Sequence, residues 1–361
     1  MKSLFKSIIF LLLIPCIAVA HNGPLNGKYT KEKTIKKEFS VNADAALNVS
    51  NSYGNLEITT WNENRTVIEV HIVTNGDNEE KVQQKLDEIT VEFSANASLV
   101  TATTKFKNRK SSWSLFGSKN NNVHMKINYT IKLPVTNTVD LNNDYGTITL
   151  NKLEGKAKIS CDYGQLIIGE LMADNNSLDF DYTNKSTISY MKSGKINADY
   201  SGFNLEKVGT LELNADYTTS RIEEVADLNY NCDYGTIEID KGVHIVGRGD
   251  YVSNRLGILN GSLDLTNNYG SIVVGKLSGS SNNVTIKAEY TGIKIGFESN
   301  YNFNFTLDLK NASFKGEEHV TLENSVKEKS HKLYSGYHGS QNSGNKVFIN
   351  SNYGNVTFKK N

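Results

Sequence analysis

Apolar residues along the middle of the chain fall on alternate positions, in short bursts that recur at a nearly fixed interval. Several copies read Tyr-Gly-x-apolar-x-apolar, with Ile148/Leu150, Leu166/Ile168, Ile237/Ile239 and Ile272/Val274 as the apolar pairs. Four positions before each Tyr runs a mostly apolar column: Leu141, Ile159, Leu178, Ile196, Leu213, Tyr230, Gly247, Leu265 and Ile286. Eight positions after it stand Leu153, Leu171, Val208, Val225 and Leu277. Period-two alternation in runs this short predicts β-strands, two per unit, separated by turns and carrying one apolar face.

The turns are as regular as the strands. Asp-Tyr occurs at Asp144-Tyr145, Asp162-Tyr163, Asp181-Tyr182, Asp199-Tyr200, Asp216-Tyr217, Asp233-Tyr234 and Asp250-Tyr251, and the series continues with Asn268-Tyr269 and Glu289-Tyr290. Successive tyrosines are 17 to 21 residues apart. A unit of that length buries its apolar face only when further units stack on it. The predicted fold is therefore all-β: a parallel β-helix (β-solenoid), right-handed by the crossover rule, with about 17–19 residues per rung. Equivalent residues of neighbouring rungs then lie about 4.8 Å apart.

That spacing fixes expectations for three side chains. Each Asp is read as a turn cap that accepts backbone N–H groups at its corner; the competing reading is a carboxylate column bridged by divalent cations. Each Tyr is read as a step in a semi-buried ladder of stacked rings, sharing the inward parity of the positions two and four before it. The competing reading is an exposed aromatic strip for sugar or protein. Cys161 and Cys232 share one column four intervals apart. About 19 Å of separation exceeds the roughly 7 Å Cα reach of a disulfide, so both are expected as buried, reduced thiols.

The signature also occurs outside the regular run. Tyr53-Gly54 carries Leu56, Ile58 and Trp61, and Tyr353-Gly354 carries Val356 and Phe358. Residues 21–135 are expected to form a β-rich region with a short helix at 79–90. Its Val82, Leu86 and Ile89 fall on one side, covering the N-terminal end of the sheet. Residues 136–300 are the regular repeats, and 301–361 irregular C-terminal coils and a cap. Within the latter, the polar stretch 317–345 is expected as a long loop or irregular coil. Segment 105–122, KFKNRKSSWSLFGSKNNN, sets five basic residues around Trp113, Leu115 and Phe116. Residues 107–122 are either a contact tip for a membrane surface or partner, or a hairpin loop whose aromatics fold back on the sheet.

Residues 1–20 read as a signal peptide: Lys2 and Lys6, the apolar run SIIFLLLIPCIAVA, then Ala18-Val19-Ala20 ahead of His21. A lipoprotein anchor at Cys16 competes, but Pro15 suits it poorly. No second apolar span follows, so no transmembrane segment is expected. Lys plus Arg and Asp plus Glu number 39 each; this balance argues against nucleic acid, whose binding rests on excess positive charge.

The pattern [DN]-Y-G-x-[IVL]-x-[IVL], the lead-in YTIKLPVTNTVDLNNDYGTITL, and the stretch LNVSNSYGNLEITTWNENRTVIEVHI resemble the adhesin-like β-strand-repeat family of bacterial envelope proteins. The resemblance covers most of residues 40–361. It implies an exported β-solenoid and supplies no catalytic residues; its adhesin label is a fold-level analogy. Independently, glycoside cleavage needs one distinguished pair of carboxylates, and the Asp column offers many alike. The seven histidines form no close ligand pair beyond a loose His331/His338, and no calcium loop, phosphate loop or nucleophile elbow is present. The expectation is a non-enzymatic scaffold without metal or cofactor, in the periplasm or on the cell surface, binding a protein or glycan ligand and no nucleic acid. The rivals are a β-helix polysaccharide lyase or glycosidase, and a periplasmic component of an envelope-sensing system.

Overall fold

The computed structural model describes residues 25–107 and 123–361. The signal-peptide expectation and the candidate contact residues Trp113, Leu115 and Phe116 lie outside the described residues. The fold is all-β, and Glu79–Glu88 is the single α-helix among the described residues. Two compact units divide the chain after Gly164.

In the second unit, the strand Gly202–Asn214 shows why the repeats pair as they do. Phe203, Leu205, Val208, Leu211 and Leu213 are buried, while Glu206 and Lys207 are both exposed. The alternation thus changes phase in mid-strand, and the apolar face bends without breaking the ladder. This strand pairs in parallel with Ser186–Asp199 on one side and Thr219–Asn231 on the other. Thr219–Asn231 pairs in turn with Thr236–Asp250, which pairs with Ser253–Leu277. Gly202 faces Thr219 and Thr219 faces Thr236, a constant shift of one repeat. A bulge at Gly242/His244 absorbs one extra residue before the pairing resumes. The column four before each Tyr is buried throughout: Leu213 faces Tyr230, Tyr230 faces Gly247, and Gly247 faces Leu265. Gly247 is required there, since a Cβ would come within 2.0 Å of the Tyr230 ring.

The end of this unit departs from chain order. Lys346–Asn352 lies between Val284–Phe297 and Phe303–Lys310, parallel to both. Val356–Lys360 pairs likewise with Val284–Phe297 and with Phe314–Lys315. The final strands therefore insert ahead of a segment that precedes them in sequence. Phe297, Phe303, Phe305, Phe314 and Phe358 fill the core here with mostly edge-to-face ring contacts at 5.2–6.4 Å. Residues 317–345 are not an irregular loop. Thr321–Lys327 and His331–His338 form an antiparallel pair, and His331–His338 lies antiparallel on Phe303–Lys310. Thr321–Lys327 is almost wholly exposed. With no buried face it has no hydrophobic alternation, so its polar sequence resembles loop.

In the first unit, Ala46–Ser52 runs parallel between Leu99–Phe106 and Thr138–Asp144. Leu56–Trp61 runs parallel between His124–Pro134 and Thr147–Leu153. Antiparallel pairs adjoin them: Tyr29–Ser40 with Arg65–Gly76, Arg65–Gly76 with His124–Pro134, and Ile89–Ala95 with Leu99–Phe106. The sheet is therefore mixed, which corrects the expectation of purely parallel pairing. Ile89–Ala95 and Leu99–Phe106 are joined by a short turn, which brings the chain back antiparallel; the other two pairs join strands far apart in sequence, whose long connections leave either direction open. The helix is capped by Asn78, whose side chain accepts from Lys81 N–H, and it buries Val82 and Leu86. Lys33 Nζ donates to the carbonyls of Leu86 and Ile89, both at 2.7 Å, where the helix ends.

Candidate functional site

The corner tyrosines decide what this surface offers. Every one of them has a left-handed backbone, with φ from 49° at Tyr290 to 65° at Tyr53. Such a conformation costs an ordinary L-residue about 1–2 kcal/mol. It also switches which side of the strand faces inward. Around Tyr217, Leu213 and Ala215 are buried four and two positions before it, and Thr218, Ser220 and Ile222 one, three and five positions after it. The ring itself points out. Ten of the eleven corner tyrosines are 45–52% exposed and Tyr53 less so, so the rings stack half-buried but do not share the inward parity expected of them.

The rings stack nonetheless. In the second unit, Tyr182, Tyr200, Tyr217, Tyr234, Tyr251, Tyr269, Tyr290 and Tyr353 form one column, with centroids 4.7–5.1 Å apart and planes within 10° of parallel. In the first unit Tyr53, Tyr145 and Tyr163 stack at 5.1–5.2 Å, and Phe106 meets Tyr53 edge-on at 6.2 Å. Beyond Tyr353 the same corner is held by Asn311. Its φ is 51°, and Lys310, just before it, pairs with Asn352. Asn tolerates the left-handed region better than other residues with a Cβ. The column of rings thus ends where a residue suited to the backbone replaces one suited to stacking.

Beside the rings, the aspartates bond from rung to rung rather than within their own corner. The backbone N–H of Asp199 donates to Asp181 Oδ1 at 3.2 Å, that of Asp216 to Asp199 at 3.1 Å, that of Asp233 to Asp216 at 2.9 Å, and that of Asp250 to Asp233 at 2.9 Å. Asn268 then donates through its side chain to Asp250 Oδ1 at 2.9 Å. In the first unit, burial and the neighbouring Asp162 charge raise the Asp144 carboxyl above its ordinary range, against a bond from Ser52 Oγ. Desolvation, then the adjoining phenols and carboxylates, raise the phenols of Tyr200 and Tyr234.

Under the corner lies a compensation that the Asp-Tyr repeat by itself does not reveal. Where Tyr is followed by Gly, the residue two before it is Asn, Cys or Ser: Asn51, Asn143, Cys161, Cys232, Asn267 and Ser351. Where Thr, Ser or Val follows, that position is Phe, Ala or Gly: Phe180, Ala198, Ala215, Gly249 and Ala288. The two sites share one space. A Cβ on Gly164 or Gly235 would meet the sulfur of Cys161 or Cys232 at 2.8 Å, and one on Gly249 would meet Val252 at 2.8 Å. In most corners a polar side chain in this space also bonds a backbone carbonyl. Asn143 donates to Gly54 O at 2.9 Å, and Thr218 Oγ1 to Ala198 O at 2.8 Å. Cys161 and Cys232 are accordingly buried thiols. Burial, reinforced by the carboxylates of Asp216, Asp233 and Asp199, pushes Cys232 up to about 12.

The strip therefore presents phenol edges, phenol hydroxyls and carboxylates in rows with one rung spacing. Most ring faces are covered by their neighbours, so a sugar finds few free faces on which to stack. Among the described residues no group of three or more His, Cys, Asp or Glu is placed to hold a metal ion. His331 and His338 have separate partners: Asp308 Oδ1 at 2.7 Å for the first and Tyr301 O at 2.7 Å for the second. No helix among the described residues is long and apolar enough to cross a membrane.

No protein-family model matches the chain, and no curated protein matches it. Similar solved structures include a "putative cell adhesion protein" from Clostridium sporogenes, 12% identical over 92% of this chain and 100% of that one, with a TM-score of 0.19. A "putative adhesin" from Parabacteroides distasonis is 12% identical over 91% and 97%, with a TM-score of 0.27. A "putative lipid binding protein" from the same organism is 9% identical over 90% and 96%, with a TM-score of 0.28. The chain resembles adhesin-named bacterial proteins, at scores that leave the functional reading to its own geometry.

Proposed function

We propose that this chain is an exported, non-enzymatic β-solenoid scaffold of the bacterial envelope, whose tyrosine–aspartate edge is the face that binds a protein or glycan ligand. The observation that carries the reading is the eight-ring column of the second unit, half exposed and in register. A monomeric protein rarely keeps so long an aromatic surface in water without a use for it. A repeated surface suits adhesion, where many equivalent contacts add. It suits catalysis poorly, because each carboxylate resembles the next, and Asp181, Asp199, Asp216 and Asp233 each spend an oxygen on a backbone N–H. Parallel pairing at a constant shift of one repeat supports the solenoid, and the Ala18-Val19-Ala20 motif supports export.

The test replaces Tyr217, Tyr234 and Tyr251 together by Asn, the residue that already holds the equivalent corner at Asn311. Wild type and variant are compared by circular dichroism, then on an array of bacterial and host glycans and a panel of surface proteins. Capture of the wild type and its loss in the folded variant is the expected result. Undiminished capture of the variant, or no capture of the wild type, counts against the strip. Release of shortened polysaccharide during the assay would favour the glycosidase or lyase instead.

A further inference from the structure

All eleven stacked corners are Tyr, and none is Phe or Trp, although the chain contains 14 Phe. Stacking alone would accept Phe, and the backbone alone would prefer Gly or Asn. The phenol is thus the common element of a column that each residue joins at a conformational cost. In the middle of the second unit the rings of Tyr200, Tyr217, Tyr234 and Tyr251 are 4.7–4.9 Å apart, within 5° of parallel and about half exposed. These are the conditions for a reaction between neighbours: two identical oxidisable groups held together, open to solvent, and reachable by a small or diffusible oxidant.

We propose that the tyrosine column is a site of oxidative coupling, in which adjacent rungs are joined covalently through dityrosine. The oxidant is hydrogen peroxide acting through a haem peroxidase. Each of two neighbouring phenols gives up one electron and its hydroxyl proton to become a phenoxyl radical. The two electrons and two protons reduce one peroxide to two waters. The radicals pair to form one carbon–carbon bond between ring positions ortho to the oxygens. Each ortho hydrogen then moves to its oxygen through solvent, restoring two phenols. Holding the rings together replaces a bimolecular encounter by an intramolecular one. Half exposure leaves the rings room to leave the stack and form the twisted biaryl. No disulfide does this work here, since Cys161 and Cys232 are both free.

The test treats dilute, folded protein with horseradish peroxidase and hydrogen peroxide, beside the same protein in urea. The readouts are dityrosine fluorescence, electrophoresis and mass spectrometry of digests. The expected products are monomers in which Tyr200 is linked to Tyr217, Tyr217 to Tyr234, or Tyr234 to Tyr251, formed faster in the folded protein than in urea. Tyr217→Phe keeps the ring and should lose both links at position 217 while retaining Tyr234–Tyr251. Links that fall instead on Tyr29, Tyr190 or Tyr337, purely intermolecular products, or coupling no faster than in urea would overturn the proposal. A folded Tyr217→Phe protein with an unchanged link pattern would overturn it as well.

Discussion

At Tyr217 two local effects oppose each other. The left-handed backbone, φ 53°, disfavours any residue with a Cβ. Contacts with the rings of Tyr200 at 4.8 Å and Tyr234 at 4.9 Å favour an aromatic. Two such contacts contribute about 1–3 kcal/mol, which offsets about 1–2 kcal/mol of backbone cost. Removing the ring should therefore destabilise, but the replacement decides by how much. Tyr217→Ala loses the stack and keeps the strain; Tyr217→Gly loses the stack and relieves it. Gly is expected to be the more stable variant by about 1 kcal/mol, the reverse of the usual order in a strand. Urea denaturation of the two variants checks this. The repeat itself was fully legible in the sequence, and the outward turn of the ring was legible in principle. The apolar positions are two and four before the Tyr but, in the Tyr-Gly copies, three and five after it, so the phase breaks at the Tyr. Parity counted from one flank alone assigns the ring to the wrong side. The left-handed corner was less accessible, because Tyr is a residue that seldom adopts it.

Among the strands, the same logic appears as volume shared between neighbours. Tyr230 stands in a column that holds Leu213 on one adjacent rung and Gly247 on the other, with Leu265 one rung further, and Gly247 makes the room. Its hydroxyl bonds Asn254 Oδ1, and Asn254 bonds Asn267, so the large side chain enters the core with its polar end satisfied. Gly247→Ala alone should overpack the core and cost about 1–3 kcal/mol. In a Tyr230→Leu background the obstruction is gone, and the same change should be neutral or stabilise by about 0.5–1 kcal/mol. A double-mutant cycle from denaturation midpoints measures that change of sign. Sequence patterning located both columns because each is periodic. It did not show that Tyr230 and Gly247 compensate, since the partners lie 17 residues apart and share a rung contact only once the register is known. Strand Thr321–Lys327 escaped for another reason: at an edge exposed on both faces, burial imposes no pattern.

At the scale of the whole molecule, the rungs of the second unit stack in parallel, with the chain's last strands inserted out of order. Composition and periodicity predict the stacking; nothing in them predicts the insertion, because Tyr353-Gly354 carries the same motif wherever its strands are placed. The most direct measurement is a set of spin-label distances from Lys195 to Asp264, Thr285, Phe348 and Thr306, taken pairwise. These positions occupy successive rungs by strand register. The account predicts backbone separations of about 19, 24, 29 and 34 Å, rising by one strand spacing at each step. Position 348 should thus be nearer to 195 than position 306 is. Distances that fail to rise by a constant step, or a 306 label nearer than the 348 label, would contradict it.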